Sequence, residues 1–265
     1  MKAYISIILL ISVVVMPVNG QLVGKWTFNE NSGNTAYDSS GNNLSGKLVN
    51  YVPYITSPGT DAISLDGIED FVDFGKNSNF VITGAFTIEA WILLNGVTGE
   101  AMVLGTDTGS YGITCYNNRI YAYGGATGGN NISFSPALGQ WVHIAVTSDP
   151  AQTGVTLKLY ADGVLVASRS STGLYPADST GLSLLCGTDR TKTSSLNADI
   201  DELRLYNNAL SQAQVEASFS AGAEKYLIQN CEDVKAKGYV LAADLDGDCT
   251  VDLNDFVSLA QSWLE

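Results

Sequence analysis

From residue 22 to about residue 206, short runs of alternating hydrophobic and polar residues recur between turn signals. The run at residues 86–94 places Phe86, Ile88, Ala90 and Ile92 on one face and the intervening side chains on the other. A period of two residues is typical of a β-strand with one buried face. Runs of this kind predict about ten to twelve strands, which is enough for two facing sheets. The expected fold class is therefore all-β, a two-sheet antiparallel sandwich.

The strongest local signal is a hairpin within residues 155–169, where Asp162 and Gly163 separate two alternating runs. A two-residue hairpin turn needs positive φ at both central residues, and Asp-Gly tolerates this. The other predicted strands have the sequences LVGKWTF, AISLDG, DFVDFG, FTIEAWILL, AMVLGT, YGITCY, RIYAYGG, WVHIAVT, LSLLCGT and DIDELRLY.

After the last strand the pattern becomes helical. Residues 209–219 place Leu210, Val215 and Phe219 at roughly helical spacing, and Ser211 is a candidate N-cap. A short helix is therefore expected to close the sandwich. Residues 223–239 are more mixed and charged, and we expect a linker there that leads to a terminal module at residues 240–265.

The first 20 residues have the features of a secretory signal peptide. Lys2 precedes an apolar run at residues 5–16, and the small residue Gly20 precedes an expected cleavage before Gln21. The run of about 12 residues is shorter than the ~20 that cross a bilayer, although an uncleaved anchor is the alternative. We expect a secreted, extracellular protein with no membrane insertion.

The charge balance narrows the possible partners. The chain has 13 Lys and Arg against 27 Asp and Glu, a formal net charge of −14. Nucleic acids and anionic membranes are bound by clustered Lys and Arg, which this sequence lacks. Nucleic acid is therefore not an expected partner.

An acidic loop near the C-terminus has the spacing of a calcium site. Carboxylates fall at loop positions 1, 3, 5, 9 and 12, and a backbone carbonyl at position 7 would add a ligand. These residues are Asp244, Asp246, Asp248, Asp252 and Asp255, with Thr250 at position 7. Calcium takes six to eight oxygen ligands, and this spacing is that of an EF-hand loop. Calcium is therefore the expected cofactor.

Two positions of this loop depart from a regulatory EF-hand. Cys249 stands at position 6, where Gly is usual, and Asp255 replaces the usual Glu at position 12. With the apolar run FVSLAQSWL that follows, residues 240–265 resemble one calcium repeat of a dockerin. A dockerin that binds cohesin carries two repeats and this chain has one, so protein docking and a purely structural role both stay open.

The four cysteines are disulfide candidates, because an exported chain reaches an oxidising compartment. They are Cys115, Cys186, Cys231 and Cys249. Four cysteines allow three pairings. The preferred pairing joins Cys231 to Cys249, eighteen residues apart, and leaves Cys115 with Cys186 across the sandwich.

Five segments follow one another in the same order as similar segments of a known protein family. They are GKWTFNENSGNTAYDSSGNNLSG, FTIEAWI, QWVHIAVT, LKLYADGVLV and IDELRLYNNALSQAQV. Together they resemble the laminin G-like jelly roll of the concanavalin A-like lectin and glucanase superfamily. The resemblance covers residues 22 to about 220 and implies a jelly-roll domain at residues 21–222. This fold carries lectins, adhesion modules and glycosidases, so function must be argued from the site.

The resemblance also implies a calcium ion beside the N-terminal loop. The matching positions are Asp38, Asn42 and Asp201. An Asp followed by turn residues also caps its own loop through an Asx turn, so both interpretations stay open. The resemblance places Trp26, Trp91 and Trp141 in strands, where they are expected in the core rather than as platforms for sugars.

The Gly- and Asn-rich stretch at residues 111–131 contains the aromatic candidates for glycan binding. The candidate ligand-binding residues are Tyr116, Asn118, Arg119, Tyr121 and Tyr123. Their rings are suited to stack on sugars and their polar groups to bind hydroxyls, but tyrosines on strands also serve ordinary sheet packing.

No catalytic residue is assigned. Asp199 and Asp201 are two residues apart and are expected on one strand face, with Glu202 on the other. Retaining glucanases of the superfamily use two carboxylates about 5 to 5.5 Å apart, typically both Glu, which this segment does not match. Glu89 is isolated, and the single histidine, His143, matches a strand position.

The expected function is therefore that of a secreted, non-catalytic, calcium-dependent protein that binds a glycan or a glycosylated surface. One alternative is a structural or protein-docking component of an extracellular assembly. The other is a polysaccharide-cleaving glycoside hydrolase.

Overall fold

The computed structural model describes residues 21–50, 52–57, 60–97, 99–124, 132–150, 157–170 and 182–227. The described residues contain sixteen strands, one 3-10 turn at Ser78–Phe80 and one α-helix. In chain order the elements are β1 (Leu22–Trp26), β2 (Thr35–Ala36), β3 (Gly46–Val49), β4 (Tyr54–Ser57), β5 (Thr60–Asp66), β6 (Phe71–Asn77), β7 (Phe86–Leu94), β8 (Glu100–Thr106), β9 (Tyr111–Tyr116), β10 (Arg119–Gly124), β11 (Ile132–Phe134), β12 (Trp141–Ser148), β13 (Leu157–Ala161), β14 (Val164–Arg169), β15 (Leu182–Cys186), β16 (Asn197–Tyr206) and α1 (Gln212–Leu227).

The strands form two antiparallel sheets, which confirms the predicted sandwich. Sheet A has the order β14-β13-β12-β7-β16-β5-β4, with β1 also paired to β16. Sheet B has the order β11-β10-β9-β8-β15-β6-β3-β2. Alternate side chains of both sheets meet in one apolar core between them.

Trp26 shows how the core between the sheets is packed. Trp26 is fully buried there, packs against Phe74 at a ring-centroid distance of 4.1 Å, and donates its indole N–H to the Leu44 carbonyl at 2.9 Å. A buried indole thus has its polar group satisfied. The interpretation of Trp26 as a core residue is confirmed.

Two local sequence signals are also confirmed. Asp162 and Gly163 have φ values of 49° and 76° and form the turn between β13 and β14. Ser211 caps α1, because its hydroxyl accepts from the Gln214 N–H at 3.4 Å while the Gln214 side chain accepts from the Ser211 N–H at 2.8 Å.

The helix is longer than the sequence pattern predicts. It continues past residue 219 to Leu227, so residues 223–227, assigned to a linker from the sequence, belong to α1. The added turns bury Tyr226 and Leu227 against Trp91 and Trp141 on the outer face of sheet A. Tertiary packing therefore extends the helix.

The strand β16 contains a β-bulge that the sequence analysis missed. Asp201 pairs with Trp91 and Arg204 pairs with Glu89, so the register shifts between these two pairs. Glu202 lies in the bulge with φ at 49°. The extra residue brings Asp201 and Arg204 to the same outer face of sheet A.

The proposed bond between Cys115 and Cys186 is wrong. Both residues are buried free thiols, on β9 and β15. Strand β8 lies between those two strands, so the two backbones are about two strand spacings, or ~10 Å, apart. A disulfide requires Cα atoms within about 7 Å.

Several predictions fall outside the described residues. These are the signal peptide at residues 1–20, the terminal module at residues 240–265 with its calcium loop, and the bond between Cys231 and Cys249. Within the described ranges, no helix has the length and apolar character to cross a membrane.

Candidate functional site

The candidate glycan-binding residues lie on the outer face of sheet B. Along β10, Ile120 and Ala122 are buried in the core between the sheets. The alternating residues Arg119, Tyr121 and Tyr123 therefore point outward. Arg119 is exposed, and both tyrosines are half-buried.

The Tyr123 ring lies over two glycines on neighbouring strands, which have no side chains. It pairs with Gly112 on β9, which pairs with Gly105 on β8. A Cβ atom on either glycine would overlap the Tyr123 hydroxyl. The two glycines thus allow the ring to lie along the sheet, and the hydroxyl reaches the sulfur of Met102 at 3.5 Å.

A buried apolar cluster lies beside these tyrosines on sheet B. Phe71, Met102 and Leu185 pack together on the outer face, with Val49 beside them. The Lys192 ammonium lies 5.2 Å from the centre of the Phe71 ring. We call the outward rings of Tyr121 and Tyr123 the tyrosine platform; Phe71, Met102 and Leu185 beside them are buried.

The charged residues around Phe71 are paired. The Lys192 ammonium contacts the Asp73 carboxylate at 2.8 Å, and both residues are partly exposed. An exposed ion pair of this kind contributes little to stability, about 0–1 kcal/mol. Its effect is to place polar groups beside the buried apolar cluster.

The structure separates the five candidate ligand-binding residues into two groups. Tyr121, Tyr123 and Arg119 share the outer face of β10, and Tyr116 is 47% exposed at the end of β9. Asn118 instead belongs to the turn between these strands: its side-chain oxygen accepts from the Val97 N–H. Asn118 therefore has a structural role.

The exposed guanidinium of Arg119 is held in place by a neighbouring strand. Its Nε donates to the Ser133 hydroxyl on β11 at 2.8 Å. The remaining N–H groups of a guanidinium stay free to bind other acceptors. Arg119 can thus place hydrogen-bond donors beside Tyr121.

The Asp38 loop is closed by its own hydrogen bonds. One carboxylate oxygen accepts from the backbone N–H of Lys25 and Ser40, and the other accepts from the Leu44 N–H and the Ser40 hydroxyl, all within 3.0 Å. Burial raises the pKa of Asp38, but these hydrogen bonds outweigh burial and leave the pKa below its ordinary value.

Asp201 belongs to a different network. Its carboxylate is fully buried and accepts from the Lys225 ammonium at 2.7 Å and from the Tyr226 hydroxyl, both on α1. Asn42 donates its amide to the carbonyls of Leu22 and Val23. Desolvation raises the pKa of Asp201 to about 6, against the opposing effect of these donors.

The structure does not assemble the predicted jelly-roll calcium site. Four protein N–H and O–H groups donate to the Asp38 carboxylate, and the Lys225 ammonium contacts the Asp201 carboxylate. No group of three or more His, Cys, Asp or Glu residues in the described part of the chain is arranged to hold a metal. The residues there do not fit a calcium ion.

The acidic residues near the end of the sandwich do not form an accessible catalytic pair. Asp199 pairs with Leu93 and Asp201 with Trp91, so both point to the outer face of sheet A. Asp201, however, is fully buried beneath α1. Glu202, expected on the opposite face, is turned by the bulge to contact Arg204 on the outer side.

Glu89 and His143 lie in the same layer beneath the helix. Glu89 is fully buried, and its Oε1 accepts from Arg204, Tyr206 and Ser218. His143 lies with its Nε2 3.9 Å from Glu89 Oε2. Because α1 covers this network, a polymeric substrate has no access to it.

Two surface cavities lie among the loops. One of about 400 Å³ is lined by Gln21, Val23, Asn42, Ser78, Asn79, Val81, Ile82, Thr83, Gly84 and Asn207. Another of about 490 Å³ is lined by Asp66, Gly67, Ile68, Glu69, Gly96, Val97, Gly99, Thr193, Ser194, Ser195 and Asn197. Neither lining includes an aromatic ring, whereas the tyrosine platform has two partly exposed rings.

The sequence analysis missed the buried apolar residues that lie beside this platform. Phe71, Met102 and Leu185 were assigned to strands, but their outward orientation follows only from the observed pairing. The glycines that accommodate Tyr123 carried no signal of their own, because their role depends on neighbouring strands.

Comparison with known proteins gives a family match over most of the sandwich. A laminin G family model described as "Concanavalin A-like lectin/glucanases superfamily" matches residues 66–216. A search of curated protein sequences finds no match.

Several solved structures share the fold. Domain 4 of AbnA, a GH43 extracellular arabinanase from Geobacillus stearothermophilus, in complex with arabinotriose, has a TM-score of 0.58 at 19% identity, over 75% of this chain and 98% of that one. The binding domain of botulinum neurotoxin DC, in complex with rat synaptotagmin II, has a TM-score of 0.59 at 15% identity, over 76% of this chain. The match spans only 51% of that toxin domain.

Proposed function

The chain belongs to the concanavalin A-like lectin/glucanases superfamily, and from this premise we propose that it is an exported, non-catalytic glycan-binding protein. The proposed binding surface is the tyrosine platform on sheet B. The observation that carries this proposal is the pair Tyr121 and Tyr123, which share one outward face of β10 and remain partly exposed.

This arrangement suits a sugar chain. An aromatic ring offers a flat apolar surface and, in tyrosine, a polar group at its edge. Tyr121 and Tyr123 are two residues apart on one strand, about 6.6 Å, so successive sugar rings can lie along the strand. Arg119 adds donors for hydroxyl groups beside them.

The similar structures support a binding role. The arabinanase domain was solved with arabinotriose, and a botulinum neurotoxin DC binding domain was solved with SialylT. Both are proteins of the same fold in complexes with glycans. The buried position of Asp201, Glu89 and His143 under α1 supports a non-catalytic role for this chain.

We further propose that calcium serves the terminal module rather than the platform. The donor set of the terminal loop, five carboxylates and a carbonyl at EF-hand spacing, fits the ion. Residues Asp244, Asp246, Asp248, Asp252 and Asp255, with the carbonyl of Thr250, would hold it. The module would then be a structural or protein-docking appendage of the glycan-binding domain.

The proposal is tested by measuring glycan retention on polysaccharide and oligosaccharide arrays with the mature chain. For a retained glycan, Tyr121→Ala should lower affinity about tenfold, equivalent to ~1.4 kcal/mol, because it removes one stacking surface. Tyr37→Ala is the matched control, since Tyr37 is 63% exposed and follows β2 at the far edge of sheet B.

Three outcomes would contradict the proposal. Unchanged affinity of Tyr121→Ala, with wild-type melting temperature, would place the site elsewhere. Release of shortened sugar products would favour the hydrolase alternative. Absence of retention on every glycan would favour a structural or protein-docking role.

A further inference from the structure

We propose that the tyrosine platform is a site for acidic glycans and that Arg190 binds a carboxylate of the sugar. This inference rests on the proposed function, since it assigns a ligand class to the same surface. It rests on the position of the Arg190 side chain and on the absence of a hydrogen-bond or ion-pair partner for it among the described residues.

The Arg190 side chain reaches back to the turn between β8 and β9. A Cβ atom on Gly109 would lie 2.8 Å from an Arg190 terminal nitrogen and 3.6 Å from its Cδ. Gly109 also has φ at 71°, which disfavours other residues. A glycine at this position therefore lets the arginine lie against the turn.

Arg190 is an exposed arginine for which the described part of the chain supplies no hydrogen-bond or ion-pair partner. Arg119 donates to Ser133, and Arg204 is paired with Glu89. Arg190 makes no hydrogen bond or ion pair with any described residue. In a chain with 27 acidic residues and 13 Lys and Arg, an arginine without a carboxylate partner is unexpected on charge balance alone.

The Arg190 guanidinium lies against Gly109, three residues before Gly112, the glycine over which the Tyr123 hydroxyl lies. Burial raises the pKa of Tyr123, the positive charge of Arg190 opposes this rise, and Glu100 adds to it. The charge of Arg190 thus acts on the Tyr123 hydroxyl. Among the described residues, the acceptor of that hydroxyl is the sulfur of Met102, and thioether sulfur is a weak acceptor.

Two donors therefore border the platform without a strong acceptor. A guanidinium binds a planar carboxylate through two parallel N–H···O bonds, and such charge-assisted bonds are stronger than neutral ones. A sugar stacked on Tyr121 and Tyr123 with a carboxylate toward Arg190 would satisfy both donors. A neutral sugar would stack on the same rings and leave the guanidinium unpaired.

The test uses three uronic acid backbones, oligogalacturonate, oligoglucuronate and oligomannuronate, each compared with its carboxyl-reduced form. Isothermal titration calorimetry would measure the ratio of the two affinities for the full mature chain. We expect the acidic form to bind at least tenfold more tightly on one or more backbones. In Arg190→Gln we expect this ratio to fall to about one, while the affinity for the reduced form stays unchanged.

Lys47→Gln is the matched control. Lys47 is an exposed cation on β3, far across sheet B, so its removal changes net charge equally but should preserve the ratio. An equal loss in both variants would show a general charge effect and overturn the assignment. A wild-type ratio near one on all three backbones would also overturn it.

The outcomes separate this inference from the proposed function. If Tyr121→Ala weakens binding of the reduced sugars while Arg190→Gln leaves the ratio unchanged, the platform stands and the carboxylate assignment fails. If Tyr121→Ala has no effect on any sugar that the wild type binds, both fail. Preference for a sulfated sugar over each uronate would overturn the carboxylate assignment.

Discussion

At the scale of single residues, the most unusual environment is that of His143. It is 1% exposed, its Nδ1 has no hydrogen-bond partner among the described residues, and its Nε2 is 3.9 Å from Glu89 Oε2. Burial lowers the pKa of His143 to about 4, Glu89 opposes this shift, and the positive charge of Arg204 adds to it. The folded chain therefore holds a neutral imidazole at neutral pH.

This burial predicts a specific dependence of stability on pH. The unfolded chain protonates His143 near pH 6.5, before the folded chain does, so stability should be lost as pH falls from about 6.5 toward 4. Across this range His143→Gln should lose less stability than the wild type, with a difference of up to about 3 kcal/mol. Urea denaturation at several pH values would measure it.

The comparison with His143→Gln isolates the histidine. Burial raises the pKa of Asp201 and that of Asp70 to about 6, and each contributes the opposite slope, a loss of stability as pH rises from about 4 to 6. Both aspartates are present in the wild type and in the variant, so their effect cancels in the difference. Parallel curves for the two proteins would contradict the buried neutral imidazole.

The two described cysteines give a second test at this scale. Burial raises the pKa of Cys115 to about 12 and also that of Cys186, so neither should react as a thiolate in the folded protein. In a Cys231→Ser and Cys249→Ser double variant, a thiol reagent should find none accessible in the native state and both after denaturation without reductant. Absence of thiols after denaturation would restore a bond between Cys115 and Cys186.

At the scale of elements, the sequence pattern predicts the long strands but not the features that depend on pairing. The structure confirms the strands β7 and β12 and the Asp-Gly turn, which local signals predict, but both faces of these two strands are buried rather than one. The bulge at Glu202 is set by the register between β16 and β7, which one strand alone does not reveal.

The same distinction holds for the candidate site. The outward orientation of Tyr121 and Tyr123 follows from alternation along β10, and sequence reasoning selected both residues. The role of Asn118 in its turn depends on Val97, twenty-one residues away. Arg190 lies in a loop with no periodicity, so only the folded chain shows its position beside Gly109.

The contact between α1 and sheet A gives a test of the helix. A Cβ on Gly222 would lie 2.9 and 3.1 Å from ring atoms of Trp91. Although Gly→Ala in a helix usually stabilises by about 1 kcal/mol, Gly222→Ala should destabilise the protein by about 1–3 kcal/mol through overpacking. Chemical denaturation would measure the change in the free energy of unfolding.

Gly84→Ala is a suitable control for this substitution, because a Cβ there meets no atom within 4 Å. It should change stability by less than about 0.5 kcal/mol. Stabilisation by Gly222→Ala would show that α1 does not pack against Trp91 this closely.

At the scale of the whole molecule, the two faces of the sandwich differ in what lies on them. Helix α1 packs on the centre of the outer face of sheet A, where its aromatic residues stack on Trp91 and its Lys225 binds Asp201. The outer face of sheet B keeps Tyr121, Tyr123 and Arg190 accessible. The proposed ligand face is therefore the outer face of sheet B, where Tyr121 and Tyr123 remain partly exposed.

The proposed calcium loop and the proposed glycan site therefore use different parts of the chain. The carboxylates of Asp38 and Asp201 are occupied by protein donors, whereas Asp246 belongs to the proposed terminal calcium loop. Asp246→Ala should therefore remove about one calcium ion from the measured stoichiometry, because one loop ligand is lost. Asp38→Asn should leave that stoichiometry unchanged, and equilibrium dialysis with metal analysis would measure both.

Since the platform uses no carboxylate cluster, a chelator should leave glycan affinity within about twofold of its value with calcium. Abolished binding would require a calcium ion in the jelly roll and would contradict the separation of the two sites.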